Sequence, residues 1–228
     1  MKQDVIERLT GGLVVSCQAK EGSPLRGPTF MAAMARCAEI GGAVGIRANG
    51  PDNIEAIREA VGLPIIGIYK INCPDSEPYI TPTFEVARCV AEAGADIIAL
   101  DATLRPHANG LSAGELIAQV KIVGLPVMAD ISTCEEGIAA EEAGADIIAT
   151  TMSGYTSYSR QLDGPDFELI SELVQEVHVP VIAEGRIWTP EQARKAIDLG
   201  AHAVVVGTAI TRPEIITERF VRVLGAGC

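Results

Sequence analysis

The chain alternates between short apolar runs and longer segments in which apolar residues recur at helical spacing. The short runs are rich in Val, Ile and Ala, a composition typical of strands buried on both faces of a parallel sheet. Segments such as "NIEAIREAV" and "FELISELVQEV" separate them and predict helices. Eight strands are expected, over residues 12–18, 43–48, 64–70, 96–102, 126–131, 146–151, 180–185 and 203–207.

Two repeated patterns organise these units. The octapeptide "EAGADIIA" occurs at 92–99 and again at 142–149, with weaker echoes at 40–50 and 199–209. In each, Gly follows a helix and a strand begins directly afterwards, as expected for a glycine C-cap. The second pattern, seen in "VGLPIIGIYK", "VGLPVMADIS" and "VHVPVIAEGR", enters the strand through Pro.

Eight strand–helix units in 228 residues predict a closed (β/α)8 TIM barrel that occupies residues 1–228 as a single domain. An open doubly wound sheet is the alternative, but it has edge strands, and these eight strands look alike. The segment "MKQDVIERLT" predicts a short helix that caps the barrel floor, and residues 214–224 predict the last helix.

Composition excludes some classes of function. The net charge of −12 argues against nucleic-acid binding, which needs a basic face. No secretory leader or membrane-spanning run is visible, and the six cysteines show no CxxC spacing, so we expect a cytoplasmic protein without a membrane partner. The three histidines lie in different units, and no metal site is predicted.

In this fold, chemistry is located at the carboxyl ends of the strands, and the loops after strands 7 and 8 often bind phosphate. Gly185 and Gly207 follow those two strands, and each precedes a predicted helix. Main-chain amides at glycine can approach an anion closely, Thr208 can donate a hydroxyl hydrogen bond, and Arg186 or Arg212 can add charge. We therefore predict a phosphate site at these loops.

Three further groups at the strand ends carry candidate chemistry: Lys70, Asp130 and Glu184. They follow strands 3, 5 and 7, whose inward side chains share layers of the barrel. A lysine whose pKa is lowered by an apolar setting can act as a base near neutral pH, or can form a Schiff base with a carbonyl. The alternative is a structural Lys–Glu pair in the barrel mouth.

Several motifs in fixed order, among them "SCQA", "GIYK", "LDATLRP", "TTMSGYT" and "AEGR", resemble the N-acetylmannosamine-6-phosphate 2-epimerase family. The resemblance covers nearly the whole chain. It implies interconversion of N-acetylmannosamine 6-phosphate and N-acetylglucosamine 6-phosphate in sialic-acid breakdown, by removal and return of the C2 proton. It also implies a homodimer that needs neither metal nor redox cofactor.

The resemblance assigns the catalytic lysine to Lys70, with Glu184 as its acid–base partner. It matches Gln18, Arg47, Asp130 and Arg212 to positions that contact the sugar or its phosphate. Competing hypotheses are a Schiff-base aldolase or an aldose–ketose isomerase that uses Lys70, and a non-catalytic barrel that senses phosphosugars.

Overall fold

The structure, a computed structural model, describes residues 2–73 and 76–225. Eight parallel strands form a closed barrel in which each strand pairs with its neighbours in sequence and β8 pairs with β1. The predicted (β/α)8 barrel is therefore confirmed, whereas the predicted domain limits at residues 1 and 228 lie outside the described residues. The strands are β1 (Leu13–Cys17), β2 (Gly45–Asn49), β3 (Ile65–Ile68), β4 (Ile97–Asp101), β5 (Val127–Asp130), β6 (Ile147–Ala149), β7 (Val181–Glu184) and β8 (Ala203–Val206).

Helices surround the barrel and connect its strands. They are α1 (Lys2–Glu7), α2 (Pro28–Ile40), α3 (Pro51–Ala60), α4 (Phe84–Glu92), α5 (Ala113–Val120), α6 (Cys134–Glu142), α7 (Phe167–Glu176), α8 (Pro190–Asp198), α9 (Thr208–Thr211) and α10 (Pro213–Val223). Among the residues described, no helix has the length and apolar character needed to cross a membrane.

The barrel interior is a packed apolar core. Alternate residues of each strand point inward, so that Ile66 and Ile68 of β3 meet Met128 of β5 and Ile182 of β7. The floor is closed by the segment that follows α1, where Leu9 is fully buried. The predicted capping helix is thus present, and its function is to seal the amino-terminal end of the barrel.

The repeated octapeptide has a specific structural role. In its first copy, the Asp96 carboxylate accepts hydrogen bonds from the main-chain N–H of Ile65 at 2.9 Å and from Arg58 at 2.7 Å. In its second copy, the Asp146 carboxylate accepts from the N–H of Val127 at 2.8 Å and from a lysine. Each aspartate therefore joins its own strand to the start of the preceding strand, at the end of the barrel opposite the strand termini that carry the candidate chemistry.

Two strands, β3 and β6, end two residues earlier than the sequence predicts, and both differences shape the upper end of the barrel. After β3, Lys70 pairs with Ile80 in an isolated antiparallel bridge, because the following loop folds back on itself. After β6, residues Thr150–Met152 form a single 3₁₀ turn. These turns direct the side chains that follow each strand into the barrel mouth.

The last helix leaves most of its apolar side chains exposed. α10 contains no buried residue, and its apolar side chains Phe220, Val221 and Val223 are exposed. Nearby, an apolar groove of about 480 Å³ opens between α2 and α9. Helix and groove are two uncovered apolar surfaces on the same chain.

Candidate active site

A buried cluster of charges lies at the upper end of the barrel. Arg47 of β2, Asp130 of β5 and Glu184 of β7 all occupy inward positions at or near the ends of their strands. The Arg47 guanidinium binds both oxygens of Asp130, with Nη1–Oδ1 at 3.1 Å and Nη2–Oδ2 at 2.5 Å, and Nη1 also donates to Glu184 Oε2. Arg47 and Asp130 are fully buried, whereas Glu184 keeps 14% of its side chain exposed.

The burial of this cluster changes its protonation behaviour. Burial alone would lower the pKa of Arg47, but the two carboxylates outweigh that effect, so the pKa lies above its ordinary value and the guanidinium stays charged. Burial raises the pKa of Glu184, and the negative charge of Asp130 adds to this, against the opposing effects of Arg47 and Lys70. One cation faces two carboxylates, so Glu184 is the member of the cluster prepared to hold a proton.

Lys70 approaches the same region from the end of β3. Its main-chain N–H donates to Asn49 Oδ1 at 2.8 Å, and its amine lies 5.9 Å from the centroid of the Tyr79 ring. Its side chain projects into an open cavity, so the residue is more exposed than the buried strand before it led us to expect. Loss of hydration within the cavity walls, reinforced by the charge of Arg47, lowers the pKa of Lys70 to about 8.

A cavity of about 550 Å³ connects these groups with the predicted phosphate loops. Eight of the ten predicted site residues line it: Gln18, Lys70, Glu184, Gly185, Arg186, Gly207, Thr208 and Arg212. The other two, Arg47 and Asp130, are buried beneath its floor, where Arg47 contacts Glu184 from below and Asp130 binds Arg47. In this structure they support the site rather than line it.

Arg186 is held by main-chain acceptors. Its backbone has φ of +54°, its Nε donates to the Gly164 carbonyl at 2.8 Å, and its Nη1 donates to the Ser153 carbonyl. A Cβ at Gly154 would lie 2.1 Å from Nη1, so a larger residue at this position would displace the guanidinium. The side chain therefore joins the loops after β6 and β7 while it forms part of the cavity wall.

The sequence analysis assigned no role to two threonines that the structure places in the cluster. The Thr151 hydroxyl donates to Asp130 Oδ1 at 2.6 Å, and the Thr150 hydroxyl contacts the main chain of Glu184. For Thr151 the available signal was the continuation of the inward period of Ile147 and Ala149 beyond β6. Within the described part of the chain, no group of three or more His, Cys, Asp or Glu side chains is arranged to hold a metal ion.

Comparison with known proteins gives a consistent result. The family model described as "Putative N-acetylmannosamine-6-phosphate epimerase" matches residues 31–226. The chain belongs to this family. The resemblance read from the motifs is thereby confirmed.

Individual members of the epimerase family match over nearly their full lengths. Proteins named "Putative N-acetylmannosamine-6-phosphate 2-epimerase" are 58% identical in Caldanaerobacter subterraneus subsp. tengcongensis, over 97% of this chain and 94% of the relative, and 49% identical in Clostridioides difficile, over 96% and 99%. The solved N-acetylmannosamine-6-phosphate 2-epimerase from Clostridium perfringens superposes with a TM-score of 0.93 at 50% identity, covering 96% of this chain and 95% of that one.

Proposed function

We propose that this chain interconverts N-acetylmannosamine 6-phosphate and N-acetylglucosamine 6-phosphate, a step of sialic-acid catabolism, by deprotonation and reprotonation at C2. The observation that carries the proposal is one cavity that joins three features. These are the Lys70 amine with its lowered pKa, the Glu184 carboxyl, and the glycine loops after β7 and β8. The names of the family members support the choice of substrate.

The chemistry requires a base near neutrality. In the open-chain sugar, C2 lies beside the C1 aldehyde, which makes its proton removable by a positioned base. The neutral Lys70 amine takes the C2 proton, and the electron pair of the C–H bond moves into the C1–C2 bond as the C1 oxygen becomes an enolate. Return of a proton to the opposite face of C2 restores the aldehyde and completes the inversion.

Glu184 is placed to supply that second proton. In a closed barrel of eight strands in sequential order, β3 and β7 lie across from each other, so Lys70 and Glu184 reach a substrate from opposite walls. Burial and the adjacent Asp130 raise the pKa of Glu184, which favours its protonated form. In the reverse direction the two residues exchange roles.

The far end of the cavity suits the phosphate. Gly185, with φ of +114°, and Gly207 bring main-chain amides to the wall, and Thr208 and Arg212 line the same space. Binding of the phosphate there fixes the position of C2 relative to Lys70, and such orientation contributes strongly to rate.

The test is proton exchange at C2. The protein is incubated with N-acetylmannosamine 6-phosphate in D2O, and C2 is followed by NMR. We expect the product to carry deuterium at C2 from the first turnovers, while the remaining substrate stays protiated. Lys70→Ala should abolish exchange, whereas Lys195→Ala, which removes an exposed lysine outside the cavity, should not. Undiminished exchange in Lys70→Ala, or borohydride trapping of substrate on Lys70, would contradict the proposal.

We further propose that the enzyme is a cytoplasmic homodimer. The exposed apolar face of α10 and the groove lined by Phe30, Met34 and Ile210 are both covered if a second copy packs its α10 against this groove. In a two-fold symmetric interface of this kind, the α10 face and the groove are covered in both copies. Sedimentation should give a dimer that Phe220→Asp converts to monomer, whereas Ile122→Asp, at an exposed apolar site on another face, leaves it intact. A monomeric parent protein would contradict this.

A further inference from the structure

The connection after β6 contacts Glu184 in an unusual way. β6 pairs with β7 only through Ile148–Val181 and Ala149–Ile182, and the chain then enters its 3₁₀ turn. Beyond that point the main chain of β6 no longer continues the ladder alongside Glu184. The hydroxyl of Thr150 replaces it, because it accepts a hydrogen bond from the Glu184 N–H at 3.0 Å and donates to the Glu184 carbonyl at 2.9 Å. Thr150 is buried.

The next residue reaches the side chains of the same cluster. The Thr151 hydroxyl donates to Asp130 Oδ1 at 2.6 Å and lies 3.3 Å from Glu184 Oε2, and it accepts a hydrogen bond from Arg47 Nη1 at 3.2 Å. One hydroxyl group therefore touches both carboxylates and the cation between them. A side chain of the same shape without the hydroxyl would leave these three groups with one fewer partner.

We propose that Thr150 and Thr151 are positioning residues for Glu184, the first through its main chain and the second through its carboxylate. This inference rests on the proposed function, in which Glu184 exchanges a proton with C2. A proton-transfer group must be held closely to its position, since a displacement of about 1 Å can reduce the rate by about 10²-fold. The two hydroxyls supply that restraint from consecutive residues on one rigid turn.

The charged groups that face Glu184 are Arg47 from β2, Lys70 from the end of β3 and Asp130 from β5. Replacement of a threonine by valine leaves all three in place. Loss of either restraint allows the Glu184 carboxylate to move away from Arg47, and this displacement destabilises its ionised form. Its pKa should therefore rise further above the ordinary value.

The experiment compares Thr150→Val and Thr151→Val with Thr150→Ser and Thr151→Ser. Each valine variant should lower kcat for C2 exchange by about 10-fold or more with KM within about threefold, whereas each serine variant should stay within about threefold of the parent enzyme. Thr156→Val is the matched control, because it also removes a buried hydroxyl, bonded to Ser132 rather than to Glu184. It should leave kcat unchanged.

A second measurement needs no substrate. The carboxyl carbon of Glu184, assigned by comparison with Glu184→Gln, is titrated by ¹³C NMR in the parent, valine and serine proteins. Its midpoint should be higher in the valine variants and unchanged with serine. Valine variants that keep the parent kcat and midpoint, or serine variants that behave like valine, would overturn the inference. If Thr150→Val does not fold, Thr151→Val decides the outcome. Absence of turnover in the parent enzyme would refute the proposed function and leave this titration as the test of the threonines.

Discussion

The lowered pKa of Lys70 predicts how the reaction rate depends on pH. A lysine with a pKa of about 8 is neutral in about one molecule in eleven at pH 7, whereas one with the ordinary value of 10.5 is neutral in about one in three thousand. The lowered pKa therefore increases the population of the neutral Lys70 amine at pH 7 by about two orders of magnitude. The rate should increase as Lys70 loses its proton and decrease as the protonated Glu184 ionises, so the pH profile of the rate should be bell-shaped, with one of its two apparent pKa values near 8.

The assay is kcat for C2 exchange between pH 5.5 and 9.5, measured at saturating substrate. Since the second ionisation of a phosphate ester lies near pH 6, kcat/KM contains a substrate term, and kcat isolates the groups of the complex. Lys70→Arg is the matched variant, because it keeps a cation but cannot lose its proton in this range, and it should lack both activity and the rising limb. A kcat profile of the parent enzyme with no ionisation between about pH 7 and 9 would refute Lys70 as the neutral base.

Three further changes test the structure around the site. Arg47→Met leaves two buried carboxylates without their cation. The free energy of unfolding, measured with urea, should fall by about 3–5 kcal/mol at pH 8 and by less at pH 5, where a proton replaces the cation. Equal losses at the two pH values would contradict this. Asp96→Ala should lower the free energy of unfolding by about 1–3 kcal/mol in the same assay and leave kcat unchanged. Asp198→Ala, which breaks an exposed ion pair, should lower it by less than about 0.5 kcal/mol. Equal losses would be inconsistent with the role of Asp96 in joining two strands. Gly154→Ala should displace the Arg186 guanidinium and raise KM at least about threefold. Gly124→Ala is the control, because Gly124 has a comparable φ but no neighbouring atom where a Cβ would lie. Equal KM values in the two variants would exclude an effect of the contact between Gly154 and Arg186.

Much of the scaffold could be predicted because its information is local. Strand and helix periods, glycine C-caps and entry through proline are properties of short segments, and the eight predicted strands overlap the observed ones. The convergence of Lys70, Glu184 and the loops after β7 and β8 on one cavity followed from the fold alone, because the carboxyl ends of all strands meet at one end of a barrel.

Other features depended on contacts between distant segments. Nothing near Arg47 in the sequence shows that its guanidinium lies beneath the cavity against two carboxylates more than eighty residues away. The acceptors of Arg186 lie on a loop without regular structure, so its main-chain contacts could not be read from spacing. The exposure of α10 depends on which surface covers it, and local amphipathic pattern does not specify a partner.

The two copies of the octapeptide show how one scaffold carries different chemistry. They are identical up to Ala99 and Ala149 and diverge from the next residue, with "LDAT" at 100–103 and "TTMS" at 150–153. Asp101 in the first copy is buried and has local partners: it accepts a hydrogen bond from the Thr103 hydroxyl at 2.7 Å and forms an ion pair with Arg105 at 2.7 Å. Thr151 takes the equivalent place in the second copy, beside the Arg47 cluster. An aspartate there would put a third carboxylate against a single guanidinium, and a buried excess of negative charge is strongly unfavourable. The repeat can therefore preserve the strand and its aspartate at the barrel floor, but the residue at the carboxyl end must be neutral where it faces Glu184.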